Sequence, residues 1–136
     1  MTSTKVLKTK HSIYNINYHI VFCPKYRHSI FKNTLEQELK KFFQMICFNY
    51  GYELLEMEIM PDHCHLFISA PPTIAPVDIV KTLKSVSALH IFRTFPNLKR
   101  QKFWGSRLWN KGYYVGTAGS VLAETIQRYI QNQKLV

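Results

Sequence analysis

The chain has 136 residues, enough for one domain with a real core, and 46% of them are hydrophobic, which excludes a disordered, tail-like protein. Lysine and arginine number 18 against 8 aspartates and glutamates, a formal charge of +10, and so basic a small chain points to a polyanionic partner. No apolar run reaches transmembrane length, and the opening MTSTKVLKTK lacks the apolar centre of a signal peptide. The expectation is therefore an intracellular, cytoplasmic protein with no membrane partner.

Cys23, Cys47 and Cys64 are an odd number, widely spaced and without a CxxC pair. That argues against a disulfide framework or a zinc knuckle. Residues 1–11 are polar and basic and read as a mobile lead-in. Over residues 13–23 the pattern alternates. Tyr14, Ile16, Tyr18, Ile20 and Phe22 share one face, and Asn15, Asn17 and His19 share the other, as in a half-buried strand ended by Pro24. A basic, aromatic loop follows over 25–32.

Thr34 with Gln37 has the spacing of a capping box. Leu35, Leu39, Phe42, Phe43, Ile46, Cys47 and Tyr50 then form a helical stripe, and Gly51 is placed to end it in the left-handed conformation. A second strand carries Leu55, Met57 and Ile59 against Glu56 and Glu58. Pro61 and Asp62 mark a tight turn into a third strand over 63–70. Cys64, Leu66, Ile68 and Ala70 make its apolar face; His63, His65, Phe67 and Ser69 make the other. Pro76 opens a helix near 77–95, closed by Pro96. Residues 97–112 are basic and aromatic, a short strand is expected at 113–117, and Ser120 caps a last helix.

This order, β-α-β-β-α-β-α, predicts an α+β fold. A ferredoxin-like (RRM-like) antiparallel βαββαβ sheet has its helices on one face, plus an added C-terminal helix, within a single domain spanning 1–136. If the helices cover the apolar face, His63 and His65 point to the open one. Residues i and i+2 of a strand share a face, so these histidines offer two imidazoles to one metal ion. By itself the pattern more often marks two exposed strand histidines. On the last helix, Tyr129 and Gln133 are four residues apart and lie one above the other. Two imidazoles, a carboxamide oxygen and a phenol suit a metal-assisted attack by tyrosine on a phosphodiester.

Met60-Pro61-Asp62-His63-Cys64-His65-Leu66 resembles the histidine–hydrophobe–histidine (HUH) motif of single-strand DNA nucleases and transposases. The run Leu108-Trp109-Asn110-Lys111-Gly112-Tyr113-Tyr114-Val115-Gly116-Thr117-Ala118-Gly119 is similar to the segment before the catalytic helix of the insertion-sequence 200/605 transposases. Tyr129-Ile130-Gln131-Asn132-Gln133 resembles their nucleophile helix, and Tyr18-His19-Ile20-Val21-Phe22-Cys23-Pro24-Lys25-Tyr26-Arg27 their opening strand. The resemblance covers nearly the whole chain with the motifs in order; Cys64 replaces the usual aliphatic residue.

The resemblance implies a transposase that cleaves and rejoins single-stranded DNA at insertion-sequence ends. Tyr129 would be the nucleophile and His63, His65 and Gln133 the metal ligands. It implies a 5′-phosphotyrosine, a free 3′-OH, DNA with subterminal hairpins as partner, and a homodimer whose active sites are shared between subunits. Mg²⁺ is the expected cofactor, with Mn²⁺ at least as effective because two histidines suit it better. Lys81, Lys84, Arg93, Lys99, Arg100, Lys102 and Arg107 are expected to contact phosphate, and Tyr26, Phe67, Phe103 or Trp104 to stack on unpaired bases. The competing readings are a non-catalytic RRM-like module binding single strands, a monomeric nuclease of repeated palindromes with the same tyrosine chemistry, and a metal nuclease that activates water.

Overall fold

In the computed structural model, which describes residues 7–8, 13–14, 16–117 and 123–132, the alternating segments pair into a twisted antiparallel sheet. Strand β3 (Ile16–Phe22) lies inside it between β5 (His63–Ala70) and β6 (Tyr114–Thr117), and β4 (Glu53–Met60) borders β5 on the far side. Helix α1 (Asn33–Tyr50) connects β3 to β4, and α2 (Pro76–Thr94) leads from β5 toward β6. This is the expected βαββαβ arrangement. Before it, β1 (Leu7–Lys8) pairs with β2 (Ile13–Tyr14), so the predicted mobile lead-in contains part of a small hairpin.

Both long helices pack on the apolar face. Ile20 and Phe22 of β3, with Cys64, Leu66 and Ile68 of β5, meet Leu39, Phe43 and Ile46 of α1 and Ile79, Val80 and Leu83 of α2. Truncating one of these to alanine costs about 2–5 kcal/mol. Trp109 closes one end of this core, edge-on to Phe22 at 4.6 Å and tilted on Phe31 at 5.2 Å. Its indole Nε1 donates to Ser87 Oγ at 2.9 Å, and that hydroxyl donates to the Lys84 carbonyl at 3.2 Å. The Trp109 Nε1 and Ser87 Oγ atoms are thereby satisfied.

Several local expectations change. Helix α1 begins at Asn33 after Lys32, without a side-chain cap, so Thr34 sits in the first turn instead of capping it. Asn33 has φ 54°, a turn of the chain that a capping box at Thr34 does not accommodate. Gly51 does end the helix with φ 76°. The basic segment after Pro96 contains a short helix, α3 (Leu98–Phe103), which ends at Trp104 with φ 50°. Phe103, expected to stack on bases, is fully buried against Phe92 and His28. The last helix, α4, is described over Ala123–Asn132; Ser120, its expected cap, and Gln133 lie outside the described residues.

Candidate active site

The open face is built by strand parity. His65 lies opposite Val21 of β3 and Glu58 of β4, and Phe67 lies opposite His19. His63, His65, Phe67 and His19 therefore share one surface. The His63 and His65 rings are 5.0 Å apart between centroids, so the structure brings the two sequence-predicted ligands together. Tyr114 of β6 lies across the same face, edge-on to His19 at 6.3 Å. Gly116, opposite His19 in register, makes room for it: a Cβ there would meet the Tyr114 hydroxyl at 2.7 Å.

Each histidine is held through its Nδ1. His63 Nδ1 lies 2.9 Å from Asp62 Oδ1, and Asp62 Oδ2 receives Arg27 Nε at 3.1 Å. His65 Nδ1 lies 3.0 Å from His19 Nε2. With Nδ1 engaged on both rings, Nε2 is the nitrogen each can offer to another partner. Burial lowers the His65 imidazole to about 4, reinforced by the neighbouring His63 and His19, so it is neutral and ligand-competent at pH 7.

The helix that carries Tyr129 is tied to the Asp62 end of the sheet. Arg27, which grips Asp62, also donates from Nη1 to the Ile130 carbonyl of α4 at 3.1 Å. The Tyr129 hydroxyl is buried and has no hydrogen-bond partner among the described residues. Burial pushes its phenol well above the ordinary tyrosine range, and the nearby Cys23 and Cys64 thiols act in the same direction. As docked, Tyr129 is a neutral phenol with an unused polar atom. Such an atom costs about 1–3 kcal/mol and fits a site that receives a ligand from outside.

The donors present fit a divalent ion of the Mn²⁺ type, for which neutral imidazole nitrogens are suitable ligands. No group of three or more His, Cys, Asp and Glu side chains able to enclose a metal exists among the described residues. A complete shell therefore needs donors of another kind, such as a carboxamide, water or phosphate oxygens.

The expected phosphate contacts divide. Lys81, Lys84 and Arg107 line a groove of about 530 Å³ between α2 and the loop before β6, together with Lys111. Arg93, Lys99 and Arg107 line its continuation along α2. Arg100 is bonded to Asn97, and Lys102 is exposed beside it on α3. Lys84 has a structural duty: its ammonium donates to the carbonyls of Asn110 at 2.6 Å, Lys111 at 3.3 Å and Gly112 at 2.7 Å. Trp104 is 73% exposed, edge-on to Tyr26 at 5.2 Å, and is available for stacking.

His19, Asp62 and Arg27 were not singled out as site residues from the sequence. His19 had been placed on the polar face of its strand, but its partner is 46 residues away. Asp62 was read only as a turn residue.

Comparison with known proteins follows the same lines. The family model described as "Transposase IS200 like" matches residues 12–133. The ISDra2 transposase TnpA of Deinococcus radiodurans is 40% identical over 121 residues, covering 89% of this chain and 86% of that protein. The transposase for insertion sequence element IS200 of Salmonella typhimurium is 34% identical over 123 residues, covering 90% of this chain and 80% of the relative. A crystal structure of a candidate transposase from Deinococcus radiodurans superposes with a TM-score of 0.86 at 38% identity, covering 93% of this chain and 97% of the other. A REP-associated tyrosine transposase bound to a REP hairpin gives a TM-score of 0.55 at 11% identity, covering 90% and 68%; at that identity the likeness is one of fold.

Proposed function

Because the chain belongs to the IS200-like transposases, we propose that it cleaves and rejoins single-stranded DNA at insertion-sequence ends, with Tyr129 as nucleophile. His63 and His65 would hold an assisting Mg²⁺ or Mn²⁺ through their Nε2 atoms, and Gln133, four residues after Tyr129 in the sequence, would supply a third ligand. The observation that carries this reading is the brace of two imidazoles at Nδ1, with Arg27 joining the Asp62 carboxylate to the backbone of the helix that bears Tyr129, whose hydroxyl is buried and unpartnered.

In the proposed step the Tyr129 oxygen bonds to the scissile phosphorus and the bond to the 3′ oxygen breaks. The phenolic proton ends on the departing 3′ oxygen, directly or by exchange through water, so the products are a 5′-phosphotyrosine and a free 3′-OH. Attack by another 3′-OH reverses the step and rejoins the strands. When bound, the ion would polarise the phosphate and stabilise its developing charge. Asp62 and His19 hold the imidazoles in place, and Arg27 holds α4 against Asp62.

The partner is single-stranded DNA carrying subterminal hairpins. Lys81, Arg93, Lys99 and Arg107 along the α2 groove, with Arg100 and Lys102 on α3, supply phosphate contacts, and Trp104 supplies a stacking surface. The proposed working form is a cytoplasmic homodimer of a single HUH domain with active sites shared between subunits, in which α4 exchanges its place beside Arg27 of its own chain for the site of the other subunit.

The test uses purified protein with Mg²⁺ or Mn²⁺ and 3′-labelled single strands from the DNA flanking the gene. The expected result is label retained on the protein through denaturing electrophoresis, and lost in Tyr129→Phe and His63→Ala. Cleavage that persists in Tyr129→Phe without an adduct would make water the nucleophile. Binding without cleavage of any flank would leave a binding module.

A further inference from the structure

A neutral imidazole carries one proton, and the nitrogen that holds it is fixed by its hydrogen-bond partner. For His63 the partner is the Asp62 carboxylate, which only accepts, so the proton sits on Nδ1 and Nε2 keeps its lone pair. For His65 the partner is another imidazole, His19, at 3.0 Å. That contact has two arrangements. In one, His65 Nδ1–H donates to His19 Nε2 and leaves His65 Nε2 free to bind a metal. In the other, His19 donates, and the proton of His65 occupies the nitrogen that a metal would need.

The surroundings fix the His19 ring in the position where it has this choice to make. It is only 5% exposed, and it stacks on Phe67 with centroids 4.2 Å apart and planes within 8°. Phe67 is its direct cross-strand partner, and Tyr114 closes the other side. These contacts fix the plane of the ring, and its Nε2 lies toward His65.

We propose that His19 is a positioning residue that accepts the Nδ1 proton of His65 and so presents His65 Nε2 to the metal. The role rests on the metal reading of His63 and His65, and it gives the two ligands different braces: a carboxylate for one and an imidazole stacked on phenylalanine for the other.

The full-length protein tests this in two ways. Long-range ¹⁵N–¹H correlation of the His65 ring, without metal, reports its tautomer directly; titration with MnCl₂ alone reports affinity. The wild type should hold the proton at His65 Nδ1. His19→Phe, which keeps the stack and removes the acceptor, should populate the Nε2–H form and bind Mn²⁺ about 10–100-fold more weakly. His19→Gln, which restores an accepting oxygen, should recover most of both. A wild-type His65 protonated at Nε2 overturns the proposal without any variant. So does a His19→Phe protein with wild-type tautomer and affinity. A wild type with the Nδ1–H tautomer that binds no Mn²⁺ overturns the metal reading itself, and with it the task assigned to His19.

Discussion

His63 and His65 on the open face, and Tyr129 on α4, each keep one polar atom uncommitted among the described residues. On the α2 side, Lys84, Ser87 and Trp109 keep none. The residue types alone do not separate these regions, since a lysine and a tryptophan are as common in binding sites as a histidine and a tyrosine. The arrangement of partners does. The three α2-side groups form closed chains of donors and acceptors that hold the loop before β6. The two histidines are braced through one ring nitrogen and leave the other for a ligand, and the Tyr129 hydroxyl is left without a partner. At the candidate site the unused atoms are left for a ligand, whereas on the α2 side the fold itself supplies the partners.

Tyr129→Phe tests this contrast hardest, because its two effects have opposite sign. Covalent adduct should fall by at least about 10³-fold, below gel detection, since no other atom replaces the nucleophile. The same change removes a buried, unpartnered hydroxyl, so urea denaturation should show equal or greater stability, by up to about 1 kcal/mol. A loss of more than that would mean the hydroxyl is already satisfied. Next in size, Trp109→Ala should cost about 3–5 kcal/mol in the same assay, whereas Trp104→Ala should stay within about 0.5 kcal/mol yet weaken single-strand binding. Equal costs at the two tryptophans would erase the distinction between the regions.

Lys84→Met should cost about 2–4 kcal/mol, because it strips donors from carbonyls of the loop, while adduct formed per folded molecule stays unchanged. Burial also lowers the Lys84 ammonium to about 8, so between about pH 8 and 10.5 the unfolded chain binds the extra proton and this group adds stability as pH rises. The buried thiols act oppositely. Burial pushes Cys23 and Cys47 up to about 12, so from about pH 9 upward the unfolded chain loses those protons first and stability falls. In Lys84→Met that alkaline decline should be steeper. The smallest effect concerns reactivity at pH 8: none of the three buried thiols should react with a thiol reagent until the chain unfolds.

Strand parity puts His63 and His65 on one face of their strand and His19 on the polar face of its own, because side chains alternate along a strand whatever the tertiary context. The stripes of α1 and α2 were equally legible. What was not legible depends on pairing between distant segments. His19 and His65 meet only because β3 and β5 adopt one register, which a single sequence does not state. Lys84 looked like an outward lysine on an amphipathic helix, yet its ammonium turns to a loop 26 to 28 residues further on. Helix α3 was hidden by its composition, since Leu98–Phe103 has no acidic first turn and no side-chain cap. The start of α1 was set by an unusual backbone angle at Asn33, and no capping pattern records that.

Arg27 joins the Ile130 carbonyl of α4 to the carboxylate that braces His63. Helix docking and ligand geometry thus share a guanidinium, and thermodynamic reciprocity follows from the sharing. If a docked α4 makes His63 a better ligand, then an ion on His63 must strengthen the docking of α4 by the same factor. A strand of DNA that draws the helix toward another position would accordingly work against the ion's grip, and the balance between the two passes through one arginine.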